Sequence, residues 1–184
     1  MVKGGTSCYQ PPLERNLYRL KMNTPTEWSF AFFDLGSKET SRRGRLHRNL
    51  RRVGAAIHSQ SVYCMPYSHY SFERLKDLDE DVFVVKANID DVQVDELVAA
   101  YDIFIDGLMK EISQKIDALE DAKAMSTDLA TRRGYTKRYN KMNDRLDHLE
   151  YVLQLRQNPD IMDKVEEFKR RVTQIDDNEP GKLI

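Results

Sequence analysis

Residues 27–66 are EWSFAFFDLGSKETSRRGRLHRNLRRVGAAIHSQSVYCMP, and this stretch decides the fold. Its first eight residues are rich in aromatic side chains and predict a buried strand over 27–34. Ser37 is the predicted N-cap of a following helix, which runs to a C-terminal glycine at Gly54. The helix is amphipathic, because its apolar residues form one narrow stripe that can face a sheet: Leu46, Leu50 and Val53.

The residues after Gly54 have strand composition, and Pro66 ends that segment. A polar break at 59–61 leaves two predictions open there, a tight hairpin or one kinked strand. A short amphipathic helix, SFERLKDLDED, and a second apolar strand, VFVVKANID, follow. This order is that of a split βαβ unit, so the sequence predicts an α+β, ferredoxin-like domain over residues 26–90. In that unit both helices cover one face of the sheet and leave the other free for a partner or a second copy.

Residues 91–176 have helical periodicity and contain no proline until Pro159. Two apolar seams with the 3- and 4-residue spacing of coiled coils predict a long α-helical hairpin, with Gly134 near its turn. A third amphipathic helix is predicted after Pro159, capped by Asn158 or Asp160. Residues 1–25 and 177–184 are predicted to be flexible tails. The two seams consist of Val98, Tyr101, Ile105, Leu108, Ile112, Ile116 and Leu119, and of Tyr139, Met142, Leu146, Leu149 and Leu153.

The composition excludes several classes of protein. No apolar run is long enough for a membrane span, and the N-terminal residues lack the apolar block of a signal peptide, so we expect a cytoplasmic protein without a membrane partner. Cys8 and Cys64 match neither a disulfide framework nor a zinc spacing, and no histidine has metal-ligand spacing. The sequence also has no phosphate loop and no dinucleotide fingerprint, so we expect no cofactor.

The predicted helix before Gly54 is the strongest functional signal in the sequence. Residues 1–90 carry 14 Lys and Arg against 10 Asp and Glu, a net +4, whereas residues 91–184 carry 15 against 20, a net −5. An anionic partner is therefore expected at the first half. The alternative is that the arginines form a solvated face or pair with the acids of the second half. The predicted phosphate contacts are Arg42, Arg43, Arg45, Arg48, Arg51 and Arg52.

A second basic cluster precedes and enters the return helix of the hairpin. Tyr135 and Tyr139 are interleaved with it, which is a pattern of nucleic-acid binding, although Tyr139 also fits the apolar seam. The possible secondary contacts are Arg133, Lys137, Arg138 and Lys141, with Arg132 and Arg145 flanking them.

Asp34 directly follows the first predicted strand. One interpretation is a catalytic carboxylate that binds Mg²⁺ together with Asp34 of a second subunit, since one carboxylate alone holds a hard cation weakly. The other is an aspartate at a strand end, stabilised by the positive end of the next helix. Nothing near it in sequence forms a ligand cluster, so the second interpretation is favoured.

The run WSFAFFDL, the basic helix ending in RNLRRVGA and the strand SQSVYCMPYS resemble a pattern of small ferredoxin-like proteins. These include the CRISPR-associated endoribonuclease-like adaptation subunit and the central domain of the PaaX repressors. With the helices ELVAAYDIFIDGLMKEISQKIDALE and YTKRYNKMNDRLDHLEYVLQLRQNPD, residues 27–175 look like the N-terminal region of the ChrB chromate-resistance regulators. The ChrB family usually has a further C-terminal domain for its chromate response, so the resemblance does not imply chromate sensing.

The resemblance to ChrB implies a homodimeric, DNA-binding protein that regulates transcription, with Arg42 to Arg52 as contacts. The sequence thus favours nucleic-acid binding, with DNA as the favoured partner. A first alternative is a Mg²⁺-dependent nuclease that uses paired Asp34 residues. A second is a structural module that binds a protein partner through the helical hairpin.

Overall fold

The computed structural model describes residues 24–36, 38–124, 129–158 and 161–177. The predicted cap at Ser37, the residues Pro159 and Asp160, and nearly all of the two predicted tails lie outside these ranges. None of the described helices combines the length and the apolar composition that crossing a membrane requires.

The described chain is α+β and begins with the predicted alternation of strands and helices. Its first six elements are β1 (Glu27–Phe32), α1 (Thr40–Val53), β2 (Ala56–Ser59), β3 (Val62–Pro66), α2 (His69–Lys76) and β4 (Phe83–Asn88). All strand pairs are antiparallel, and the sheet order is β2-β3-β1-β4. This is the ferredoxin-like arrangement, and of the two predictions for residues 56–66 the hairpin is confirmed.

Three further helices complete the described chain: α3 (Asp91–Ala124), α4 (Leu129–Arg156) and α5 (Met162–Asp177). Helices α3 and α4 are antiparallel, because Arg156 pairs with Asp102 while the earlier Arg145 pairs with the later Glu111. The predicted seams lie between the helices. Their buried members are Tyr101, Ile105, Ile112, Ile116, Leu119, Met142, Leu146, Leu149 and Leu153, joined by Val165, Val172 and Ile175 of α5.

The connection between the two hairpin helices is shorter than the predicted stretch MSTDLATRRGY. Helix α4 begins at Leu129, so Gly134, predicted near the turn, lies inside the helix. The residues before Gly134 include good helix formers, and one glycine costs a helix only about 1 kcal/mol relative to alanine. The local preference for helix therefore outweighs the signal of a single glycine.

Helix α1 ends as the sequence predicts. Gly54 has φ 101°, in the left-handed region that favours glycine, and its N–H donates to the carbonyl of Arg51 at 3.1 Å. At the other end, the side chain of Glu39 accepts a hydrogen bond from the N–H of Gly36 at 3.0 Å. The end of α1 is thus defined by a local backbone contact, whereas Glu39, its N-cap residue, makes no side-chain capping bond.

The two faces of the sheet are covered differently. One face carries Ala31 and Tyr63 and packs against α1, where His47 contacts the Tyr63 ring. On the opposite face, Trp28 contacts the Tyr101 ring of α3 at 6.0 Å between centroids. The buried residues form one continuous cluster that joins the sheet to the helical hairpin.

The second sheet face is therefore not entirely free, which corrects the prediction. Helix α3 covers its part near Trp28, because the long helix packs back onto the sheet. Phe32, Phe83 and Val85 on the same face remain 38%, 62% and 44% exposed. The homodimer predicted at this face stays a prediction.

A basic cleft as the candidate functional site

The C-terminal half of α1 forms one wall of a cleft of about 860 Å³. The apolar stripe of α1 is buried in the core. The arginines of its C-terminal half lie outside that stripe and line the cleft together with residues of α4. Helices α2, α3 and α4 complete the cleft. Its basic lining residues are Arg48, Arg51, Arg52, Arg74, Lys141 and Arg145.

The cleft has an excess of positive charge. Against its six Lys and Arg, the described lining contains three carboxylates, of Glu111, Asp144 and Asp147. Glu111 is engaged by Arg145, which lowers the pKa of the Glu111 carboxyl, and by Lys115 at 3.8 Å. Among the described residues, no carboxylate lies within ion-pairing distance of the cleft arginines of α1, which are Arg48, Arg51 and Arg52. These side chains are therefore available to an external anion.

Two guanidinium groups of the cleft are oriented by aromatic rings. Arg51 lies over the ring of Phe104 at 5.7 Å, and Arg74 lies over the ring of Tyr70 at 5.5 Å. Arg74 also donates to the Tyr70 hydroxyl at 3.4 Å. These cation–π contacts limit where the two guanidinium groups can lie, and a guanidinium keeps several N–H donors that can bind an oxyanion.

Two histidines line the cleft, and both disfavour a proton. His47 Nδ1 forms a 2.6 Å hydrogen bond with the Tyr63 hydroxyl, and burial together with Arg51 and Arg48 lowers the His47 pKa. Burial also lowers the pKa of His148, and the neighbouring arginines add to that shift although a hydrogen bond to the Arg51 backbone opposes it. Both imidazoles are thus neutral near pH 7, and the positive charge comes from the arginines and lysine.

Two tyrosines lie beside the cleft arginines. Tyr70 is 61% exposed, and its ring meets that of Tyr151 edge-on at 6.2 Å between centroids. The hydroxyl of Tyr151 is buried and has no hydrogen-bond partner within the described chain. The cleft therefore presents aromatic surface next to guanidinium groups.

The structure divides the six predicted arginines of α1 into two groups. Arg42 is held by acids of the α2–β4 loop, through Asp79 and through Asp81 at 2.7 Å, and this pairing lowers the Asp79 pKa. Arg43 donates to the carbonyl of Leu35, and Arg45 is exposed outside the cleft. Only the C-terminal three arginines of the predicted set line the cleft.

The predicted secondary residues are also divided. Lys141 lines the cleft, whereas Lys137 and Arg138 are exposed on α4 and are not part of its lining. The side chain of Arg133 lies outside the described residues. Sequence reasoning missed Arg74, Tyr70 and Tyr151. Tyr70 and Arg74 are four residues apart in α2 and share a face, but the predicted helix SFERLKDLDED began only at Ser71, so this spacing was not recognised.

Asp34 does not belong to the cleft. It is exposed just before the N-terminus of α1, whereas the cleft lies at the C-terminal half of that helix. Thr40 and Arg52 are separated by 12 residue steps along α1, about 18 Å at 1.5 Å per residue. Within the described residues, no three His, Cys, Asp or Glu side chains are grouped so as to hold a metal ion. The nuclease alternative stays a prediction that would depend on a second copy.

The acids of the second half pair largely with basic residues of that same half. Arg156 contacts Asp102 at 2.7 Å, and Arg171 contacts Glu120 at 2.8 Å. Lys169 contacts Glu150 at 2.9 Å. No described ion pair joins these acids to Arg48, Arg51 or Arg52, although Arg51 lies close enough to Glu111 to contribute to the lowered pKa of that carboxyl.

Comparisons with protein-family models, curated proteins and solved structures give no match for this chain. The resemblance to the ChrB, PaaX and CRISPR-associated families stays a prediction. Function is therefore inferred from the geometry and charge of the cleft itself.

Proposed function

We propose that the protein binds the sugar–phosphate backbone of nucleic acid in the basic cleft. One observation carries the proposal: Arg48, Arg51 and Arg52 have no carboxylate partner among the described residues and share the cleft with Lys141. Arginines already paired with carboxylates of the same protein would not support the proposal. An excess of unpaired cations in a concave site favours a polyanion, because each bound phosphate releases condensed counterions.

The lining favours contacts to the backbone over the reading of a base sequence. Guanidinium and ammonium groups bind phosphates from several directions, whereas adenine is recognised mostly by Asn or Gln. The described lining contains neither of those two residue types. Recognition of adenine through Asn or Gln is therefore not expected in the described lining.

The regulatory part of the proposal rests on the resemblance to ChrB regulators. It makes DNA the favoured nucleic acid and transcription the regulated process. Regulation in this form requires binding without cleavage, which separates it from the Mg²⁺-dependent nuclease.

The test is binding of labelled DNA and RNA at low and at physiological salt, with and without Mg²⁺. The wild type is compared with Arg48→Glu/Arg51→Glu and with Arg45→Glu, a matched control because Arg45 is exposed on the same helix outside the cleft. We expect salt-sensitive binding that the double variant loses by at least about tenfold and the control retains. Equal binding by all three proteins would contradict the proposal.

The same experiment separates the alternatives. Mg²⁺-dependent cleavage that Asp34→Ala abolishes would make the protein a nuclease. If no nucleic acid binds the wild type under any of these conditions, the proposal fails and the helical hairpin becomes the surface to test for protein partners.

A further inference from the structure

Tyr70 combines high exposure with a fixed position beside the cleft arginines. Its side chain is 61% exposed, although a large aromatic side chain gains by burial. Arg74 lies over the ring at 5.5 Å, and the Tyr151 ring meets it edge-on at 6.2 Å. The ring is therefore held from two sides and still presents much of its surface to solvent.

We infer that the cleft takes single-stranded nucleic acid, with one base stacked on Tyr70 and the neighbouring phosphates bound by the cleft arginines of α1 and by Lys141. This inference rests on the proposed function and adds to it the strandedness of the ligand. An electropositive groove with an aromatic platform is the usual site for single strands, because a base in a single strand can leave its stack and lie on a ring.

The shape of the cleft favours one strand over a duplex. Its volume of about 860 Å³ lies within the roughly 300–1,000 Å³ of sites that enclose ligands of drug size. That space accommodates a few nucleotides of one strand. A duplex could meet these arginines only through its phosphates, because α1 is packed on the sheet by its apolar stripe, faces α4 with its basic side and does not project into a groove.

The position of the ring also favours stacking on energetic grounds. A side chain already held by Arg74 and Tyr151 loses little conformational entropy when a base binds. The guanidinium of Arg74 lies over the ring and so places a positive charge beside a nucleotide stacked there.

The test compares three ligands by fluorescence anisotropy: a thymidine strand of about 12 nucleotides, an abasic strand of the same length, and a duplex of the same length. A uridine strand is added to separate RNA from DNA. The wild type is compared with Tyr70→Ala, with Tyr70→Phe, and with Phe83→Ala. Phe83 is a matched control, since it is 62% exposed on the opposite face of the sheet from α1 and α2. Circular dichroism checks that each variant is folded.

We expect the wild type to prefer the thymidine strand over the abasic strand by roughly 5- to 150-fold, the range that stacking on one aromatic ring supplies. Tyr70→Ala should bind the thymidine strand no better than the abasic strand, whereas Tyr70→Phe and Phe83→Ala should keep the preference. An unchanged preference in Tyr70→Ala, or tighter wild-type binding of the duplex than of the strand, would overturn the inference while leaving backbone binding intact. Failure of the wild type to bind any of the four ligands would instead refute the proposed function.

Discussion

The hydroxyl of Tyr101 in α3 donates a hydrogen bond of 3.0 Å to the carbonyl of Gly54, the residue that ends α1. Tyr101 is fully buried, and its ring also packs edge-on against Trp28 of β1. The Tyr101 side chain thus joins the helical hairpin to the sheet and to the C-terminal end of α1. Because the cleft lies between α1 and the hairpin, this contact helps to set its geometry.

Tyr101→Phe should lower the free energy of unfolding by about 1–2 kcal/mol, because it leaves a buried carbonyl without its donor. Urea denaturation followed by circular dichroism measures the change. Tyr70→Phe is the control, since its hydroxyl is at the exposed cleft and the substitution should cost less than about 0.5 kcal/mol. Equal stability of the two variants would show that the Tyr101 bond does not hold α1 to α3.

Gly54→Ala should destabilise the protein, by about 1–3 kcal/mol. An added Cβ would lie 3.2 Å from a methyl group of Val152, and the φ of 101° is itself unfavourable for alanine. Gly107→Ala is the matched control. Its added Cβ meets nothing within 4 Å and it lies within helix α3, so we expect a gain of about 0.5–1 kcal/mol. Opposite signs in thermal melts of the two variants confirm the prediction, and a shared sign contradicts it.

Arg156 and Asp102 should be energetically coupled. Arg156 is only 5% exposed and contacts the two carboxylate oxygens of Asp102 at 2.7 and 3.1 Å. A double-mutant cycle with Arg156→Met and Asp102→Asn should give a coupling energy of about 1–3 kcal/mol. Additive effects, within about 0.3 kcal/mol, would show that the pair contributes no net stability.

Stability should fall as the pH drops below the ordinary histidine pKa of 6.5. Burial and the cleft arginines lower the pKa of His47 and His148 in the folded protein, so the unfolded chain takes up these protons first. The contribution is fully present above pH 6.5 and is lost progressively until the pH passes through the lower folded-state values. Thermal melts from about pH 7.5 to about 5.5 measure it. The loss of stability should be smaller in His47→Asn and in His148→Gln than in the wild type. If both variants lose as much stability as the wild type, other groups cause the pH dependence.

The salt dependence of nucleic-acid binding should report individual phosphate contacts. The logarithm of the binding constant falls linearly with the logarithm of the salt concentration, and each phosphate contact adds about 1 to the steepness. Arg52→Gln should therefore make this slope less steep by about 1, whereas Arg45→Gln should leave it unchanged. Titrations at several salt concentrations give the slopes. A slope that is the same for Arg52→Gln and the wild type would remove Arg52 from the phosphate-binding surface.

Much of the fold follows from local pattern. The apolar run before Asp34, the stripe that begins at Leu46 and the glycine at position 54 predict the first strand and the helix that follows it. The seams of the hairpin are equally visible, because residues three and four apart lie on one helix face. Gly134 lies inside α4 rather than in the connection between the helices, because a single glycine is a weak signal when its neighbours favour helix.

The site was only partly predictable. The density of positive charge on α1 is visible in the sequence. The sequence does not show which of these arginines pair inside the fold and which line the cleft. Arg42 meets Asp79, 37 residues away, and Arg51 meets Phe104 of α3.

The sequence by itself determined the order of strands and helices, the buried stripes and the basic helix, because these depend on neighbours along the chain. Only the tertiary structure decided which arginines remain unpaired, and that Arg74, Tyr70 and Lys141 join them in one cleft. Those relationships depend on where α3 and α4 pack against the end of α1, and that packing is set by contacts such as Tyr101 with Gly54 between residues distant in sequence.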